Sequence, residues 1–129
     1  MKEWYRVLRP GGILFLALPD KRLTFDERRP RTTLGHLLAD HQDRGEGSRS
    51  GHYEEYARLV HNVKGDDAVR DAARLMATSY SIHFHVWILK DIQQLIAHLE
   101  DAFQLRWNVI RYVDSTGSDE FICVLQKVG

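Results

Sequence analysis

The chain has 129 residues, long enough for one domain with a buried core, and hydrophobic (43%) and charged (28%) fractions that fit a globular protein. Eighteen Lys plus Arg balance eighteen Asp plus Glu, so net charge gives no reason to expect nucleic acid or an anionic membrane as the main partner. The one cysteine, Cys123, excludes an internal disulfide, no apolar run approaches the roughly 20 residues of a membrane span, and Met1 to Tyr5 carries no apolar signal core. A cytoplasmic protein is the expectation.

Residues 3–8 read as the end of an amphipathic helix with Trp4, Val7 and Leu8 on one face. Pro10 and Gly11-Gly12 end it and turn the chain. Ile13 to Leu18 is apolar at every position, the pattern of a strand covered on both faces inside an α/β sheet, and Pro19 closes it. Thr32 or Thr33 can cap a short helix through Leu34, Leu37 and Leu38. Gly45 to Gly51 is the most loop-like stretch. Helices are expected through Tyr53, Tyr56, Leu59 and Val60, and from Asp66 to Met76 with Ala68, Val69, Ala72 and Leu75 on one face. Ser81 to Trp87 alternates apolar and polar residues, as in a short extended segment. Leu89 to Leu99 is an amphipathic helix with Ile92, Leu95, Ile96 and Leu99 inward. Leu105 to Val113 and Phe121 to Val128 are strands joined by the turn Ser115-Thr116-Gly117-Ser118, an antiparallel hairpin. Trp4, Trp87 and Trp107 are expected in the core, and Cys123 as a buried apolar filler.

The run Glu3-x-x-Arg6-Val7-Leu8-Arg9-Pro10-Gly11-Gly12, followed by an apolar strand, resembles the segment before the fifth strand of class I S-adenosylmethionine-dependent methyltransferases. Leu18-Pro19-Asp20-Lys21-Arg22-Leu23-Thr24-Phe25-Asp26, Arg29-Pro30, Thr32-Thr33-Leu34, His83-Phe84-His85-Val86-Trp87 and Asp119-Glu120-Phe121-Ile122 resemble a subgroup with a long insertion after that strand. The resemblance implies a partial Rossmann-like α/β sheet: one buried strand, a helical insertion over 19–80, and a helix and hairpin over 81–129, with the final strand beside the first. It also implies S-adenosylmethionine as methyl donor and a small-molecule or sugar-related acceptor. The family's glycine-rich loop after its first strand and the acid after its second have no counterpart here, because Gly11-Gly12 precede a strand instead of leading from one into a helix. The chain thus resembles the C-terminal half of such an enzyme, expected to bind the cofactor weakly and to be inactive alone. The alternative is a non-catalytic, methyltransferase-like interaction or regulatory module. Either way strand 13–18 would have a free edge, so self-association through it is expected.

Candidate site residues follow from position. Asp20, Lys21 and Arg22 stand at the carboxyl end of the apolar strand, where α/β sheets bind ligands. A carboxylate there can orient a nucleophilic hydroxyl or amine, and the two cations can hold an anionic substrate group; the competing reading is a solvated turn. His83 and His85, two apart, would share a face of an extended segment, and either can serve as general base. The competing reading is a solvent-facing pair framed by Ile82, Phe84 and Val86 in the core. Asp26 and Arg29, with Arg28 and Arg31 around Phe25, form either a substrate-contacting lid or a surface loop. No metal is expected, since no third or fourth ligand has recognisable spacing to the His pair. His36, His41, His52, His61 and His98 carry no usable pattern.

Overall fold

A computed structural model describes all 129 residues. The chain is mixed α/β, with helices α1 (Lys2–Val7), α2 (Leu34–Asp43), α3 (Arg49–Leu59), α4 (Gly65–Ala77) and α5 (Leu89–Phe103) and strands β1 (Ile13–Pro19), β2 (Trp107–Val113) and β3 (Glu120–Lys127). It divides into two compact units, residues 1–23 with 87–129, and residues 24–86. No helix is long and apolar enough to cross a membrane.

The first unit is built on an antiparallel sheet in the order β1-β3-β2. The hairpin forms as the turn residues predicted, and β3 lies between its hairpin partner and β1, with Leu16 opposite Cys123 and Leu18 opposite Phe121. Alternation along β3 sends Phe121, Cys123 and Leu125 into the core, each completely buried. Ile92, Ile96 and Leu99 of α5 pack there with Leu105 and Trp107. The Asp91 carboxylate accepts from the Ile88 backbone N–H at 3.0 Å and closes the start of α5. Lys127 Nζ donates to the carbonyls of Tyr5 and Leu8 at 2.9 Å each, satisfying groups that the end of α1 leaves open.

Three expectations need correction in this unit. β1 alternates between exposed and half-buried, with Phe15 60% exposed. Leu14, Leu16 and Leu18 pack on the core while Ile13 and Phe15 face away from it, since no element of the unit covers that side. An all-apolar strand does not reveal whether both its faces are covered. Secondly, α1 turns Met1, Tyr5 and Leu8 inward and leaves Trp4 and Val7 exposed. The Tyr5 ring meets Trp107 edge-on at 4.9 Å, and its hydroxyl donates to the Val128 carbonyl at 3.2 Å. A short helix presents two candidate faces, and the one matching the core wins. Thirdly, only Trp107 of the three tryptophans is fully in the core; Trp87 is partly buried at its margin.

The second unit occupies 24–86, where the sequence placed an insertion over 19–80. Thr33 caps α2, its Oγ1 accepting from the His36 N–H at 3.2 Å. Helices α3 and α4 pack through Tyr53, Tyr56, Ala57, Ala68, Ala72 and Leu75, with Ile82 completing the cluster. One boundary and one facing differ from expectation. Helix α3 starts at Arg49, inside the segment that read as a loop, and Val69 of α4 is half exposed. Residues 81–87 form no strand. Helix α2 buries no residue at all.

Candidate functional site

Asp20, Lys21 and Arg22 lie where expected, just past the end of β1, in one turn of 3-10 helix over Lys21–Leu23. Asp20 is fully buried. Its Oδ1 accepts from the Arg22 backbone N–H and Nε, both at 2.9 Å, and its Oδ2 accepts from Ser115 Oγ at 3.1 Å. Arg22 Nη2 also donates to Asp114 at 2.8 Å. The Arg22 side-chain bonds hold the Asp20 carboxyl below its ordinary value despite burial, and Ser115 adds to this. The carboxylate is therefore ionised and its oxygens are occupied, so Asp20 acts as the anchor of the turn after β1. Lys21, Arg22 and Asp114 remain partly exposed.

Gly11 and Gly12 serve the turn before β1. Gly11 donates to the Lys127 carbonyl at 2.9 Å and Gly12 accepts from the Lys127 N–H at 2.9 Å. A Cβ on Gly12 would meet the Arg9 carbonyl oxygen at 2.8 Å. Their lack of side chains is used by chain packing, and they form no cradle for a cofactor such as S-adenosylmethionine.

Asp26 and Arg29 belong to neither of the expected arrangements. They are buried, not on a surface loop, and Arg29 is fully enclosed. Arg29 Nη1 donates to Asp26 Oδ1 at 2.8 Å and to the His83 carbonyl at 2.6 Å, Nη2 to the Phe84 carbonyl at 3.3 Å, and Nε to Glu55 at 2.7 Å. Such a planar fork can satisfy several fixed acceptors at once. With its donors so used, Arg29 holds the 83–84 backbone in place and is not exposed for a substrate. The other Asp26 oxygen lies 2.7 Å from His83 Nδ1. The His83 ring stacks on Phe25, centroids 5.1 Å apart, and its side chain is 41% exposed. A half-exposed imidazole is thus oriented by a buried carboxylate, itself held by a buried guanidinium.

His85 does not share a face with His83. The segment 81–87 is irregular, and it sends His83 to Asp26 and His85 to Asp40, its Nε2 2.7 Å from Asp40 Oδ2. That oxygen is also 3.1 Å from His36 Nε2 and 3.5 Å from His52 Nε2, and the last two nitrogens are 3.1 Å apart. His36 and Asp40 are one turn apart on α2, so one helix face presents both. His52 comes from the first turns of α3. Burial opposes ionisation of Asp40, but hydrogen bonds from His85, Ser48 and His52 keep its carboxyl well below its ordinary value. Burial pushes the His52 imidazole down, partly offset by Asp40. An open cavity of about 690 Å³ runs past Asp40, His52 and His85, with Arg44 and Arg49 also on its wall.

Sequence reasoning named His85 but not His36, Asp40 or His52. The His36-x-x-x-Asp40 spacing was the one available signal, because it puts an imidazole and a carboxylate on one helix face. Comparison with protein-family models, with curated proteins and with solved structures gives no match to this chain.

Proposed function

We propose that the chain forms the acceptor side of an S-adenosylmethionine-dependent methyltransferase of the cytosol, acting on a small-molecule or sugar-related acceptor, with His83 as general base. The observation that carries this reading is the Asp26–His83 pair, 2.7 Å apart, with Asp26 buried and His83 partly exposed. Moving a methyl group onto a hydroxyl or amine requires removal of a proton from the acceptor. When Nδ1–H of a neutral imidazole donates to a fixed carboxylate, Nε2 carries the lone pair that takes that proton. The antiparallel order β1-β3-β2, with the last strand beside β1, supports the reading, because it is the order the resemblance implies. The methyl donor would supply the electrophilic carbon when bound.

Two measurements test this. The coding DNA directly upstream should encode a glycine-rich strand–loop–helix in frame, and calorimetry on the 129-residue chain should give no cofactor affinity tighter than millimolar. Unrelated upstream sequence or micromolar affinity sinks the proposal. In the longer chain His83→Gln should lower kcat by about 10²–10⁴ with little change in KM, the range for loss of a positioned base.

The second reading, a non-catalytic interaction module, is favoured by one observation. β1 is an edge strand, and Ile13 and Phe15 on it are exposed. An apolar strand with free N–H and C=O groups is a template for another strand, and the partner of this reading is a second copy pairing through residues 13–18.

A further inference from the structure

We propose that His36, Asp40, His52 and His85 form a binding site for one divalent transition-metal ion, zinc by choice of donors and geometry. The four ligand atoms, three imidazole nitrogens and one carboxylate oxygen, all lie within 4.8 Å of one another. Around zinc at its usual distances of about 2.0–2.1 Å, tetrahedral ligand atoms stand about 3.3 Å apart. Four of the six separations, 2.7, 3.1, 3.1 and 3.5 Å, bracket that value, and the other two stay within 4.8 Å.

Hydrogen bonding alone leaves one side of the cluster without a proton. Each ring nitrogen carries at most one proton, and a carboxylate donates none. If His36 and His52 both carry a proton at Nε2, the two donors face each other at 3.1 Å. If either lacks it, its lone pair faces an Asp40 oxygen lone pair. With one proton on His36 Nε2 shared between Asp40 and His52, the His52–Asp40 side still sets two lone pairs 3.5 Å apart, whereas a cation at the centre meets every member. The cavity beside Asp40, His52 and His85 gives an ion a way in.

A second observation points the same way. On helix α2 Leu34, Leu37 and Leu38 are only half-buried, and the side chains that face the cluster are His36 and the nearly enclosed Asp40. Its apolar packing is thus shallow, and a metal joining α2 to α3 and to residue 85 would fasten the helix further. Binding that requires the folded arrangement stabilises that arrangement. The inference rests on residues 24–86 alone and stands or falls independently of the acceptor-side reading.

The test uses the untagged full chain, stripped with chelator and titrated with zinc or cobalt(II). Expected are one zinc per chain by mass spectrometry of the metal, a thermal midpoint that rises with zinc, and the intense visible bands of tetrahedral cobalt(II). His52→Gln/His85→Gln should weaken zinc binding at least about 100-fold, since loss of even an outer partner costs about 10–100-fold. His98→Gln, outside the cluster, should leave it unchanged. Stoichiometric zinc that is equally tight in the double variant overturns the proposal, as does absence of binding to the wild-type chain. Should the double variant fail to fold, cobalt(II) in the wild-type chain decides: weak, octahedral-type bands overturn the site.

Discussion

In the unit of residues 1–23 and 87–129 the largest enclosed side chains are Phe121 and Leu125, whereas in the unit of residues 24–86 Arg29 and Asp26 stand among them beside Tyr53 and Leu75. The sheet unit is held by non-directional burial, which fixes volume more strictly than orientation. The helical unit adds a charged interior in which each group has named partners at fixed angles. The first design makes a platform, and the second holds imidazoles in set positions. That is why both histidine sites, His83 with Asp26 and His85 with Asp40, lie in the helical unit.

The contrast breaks most visibly at Arg29. Arg29→Met leaves Asp26 buried without its cation and should cost about 3–5 kcal/mol in urea denaturation. Arg29→Lys should recover only part of this, because an ammonium cannot span two carboxylates and two carbonyls. Leu125→Met in the sheet unit, a volume-conserving swap, should cost less than about 1.5 kcal/mol. Equal costs for Arg29→Lys and Leu125→Met would erase the distinction.

Cys123 sharpens it next. The thiol is fully buried, and burial pushes it up to about 11. At pH 8 a disulfide reagent should therefore react more than about 100-fold slower with the native chain than with the unfolded one, since the thiolate is the reactive form. Reaction at the unfolded rate would mean the sheet core opens readily.

The one buried charge described in the sheet unit, Asp20, gives a smaller and pH-dependent effect. Its folded-state carboxyl lies below the ordinary value, chiefly through Arg22. Its stabilisation is therefore complete above the unfolded value and is lost as pH falls through the folded one. Asp20→Asn should cost about 1–2 kcal/mol at pH 7, at the low end because Arg22 is half exposed, and the gap to wild type should close below about pH 4. A gap that stays constant down to pH 2 would contradict the assignment.

Phe15→Lys should have the least effect on stability, within about 0.5 kcal/mol, because Phe15 is exposed. If β1 pairs with a second copy, this change should lower the dimer fraction in sedimentation velocity. An unchanged fraction, or a wild-type chain that stays monomeric at high concentration, rules out pairing through residues 13–18.

The sheet unit was largely legible in the sequence because its signals are local. Ser115 to Ser118 marks the hairpin turn, the spacing of Ile92, Ile96 and Leu99 marks α5, and period-two alternation places Phe121, Cys123 and Leu125 inward. What failed there was facing: Trp4 and Phe15 are apolar but outside, because local pattern does not say which sides other elements cover. In the helical unit the elements were legible and the contacts were not. Arg29 in a run of arginines reads as a surface charge; it is buried because Asp26, Glu55 and the carbonyls of residues 83 and 84 surround it. Asp40 meets His52 and His85 across 12 and 45 residues of chain, distances at which no spacing rule connects ligands.

The sequence by itself determined the existence of the helices, the hairpin, a threonine cap at residue 32 or 33 and the position of Asp20 at the end of β1, since each depends on propensity and periodicity within a few residues. Only the tertiary structure decided that His83 and His85 go to different carboxylates, and that three imidazoles converge on one oxygen of Asp40. Those outcomes depend on how α2, α3 and the segment after α4 close together, a long-range packing that side-chain identity permits but local sequence does not specify.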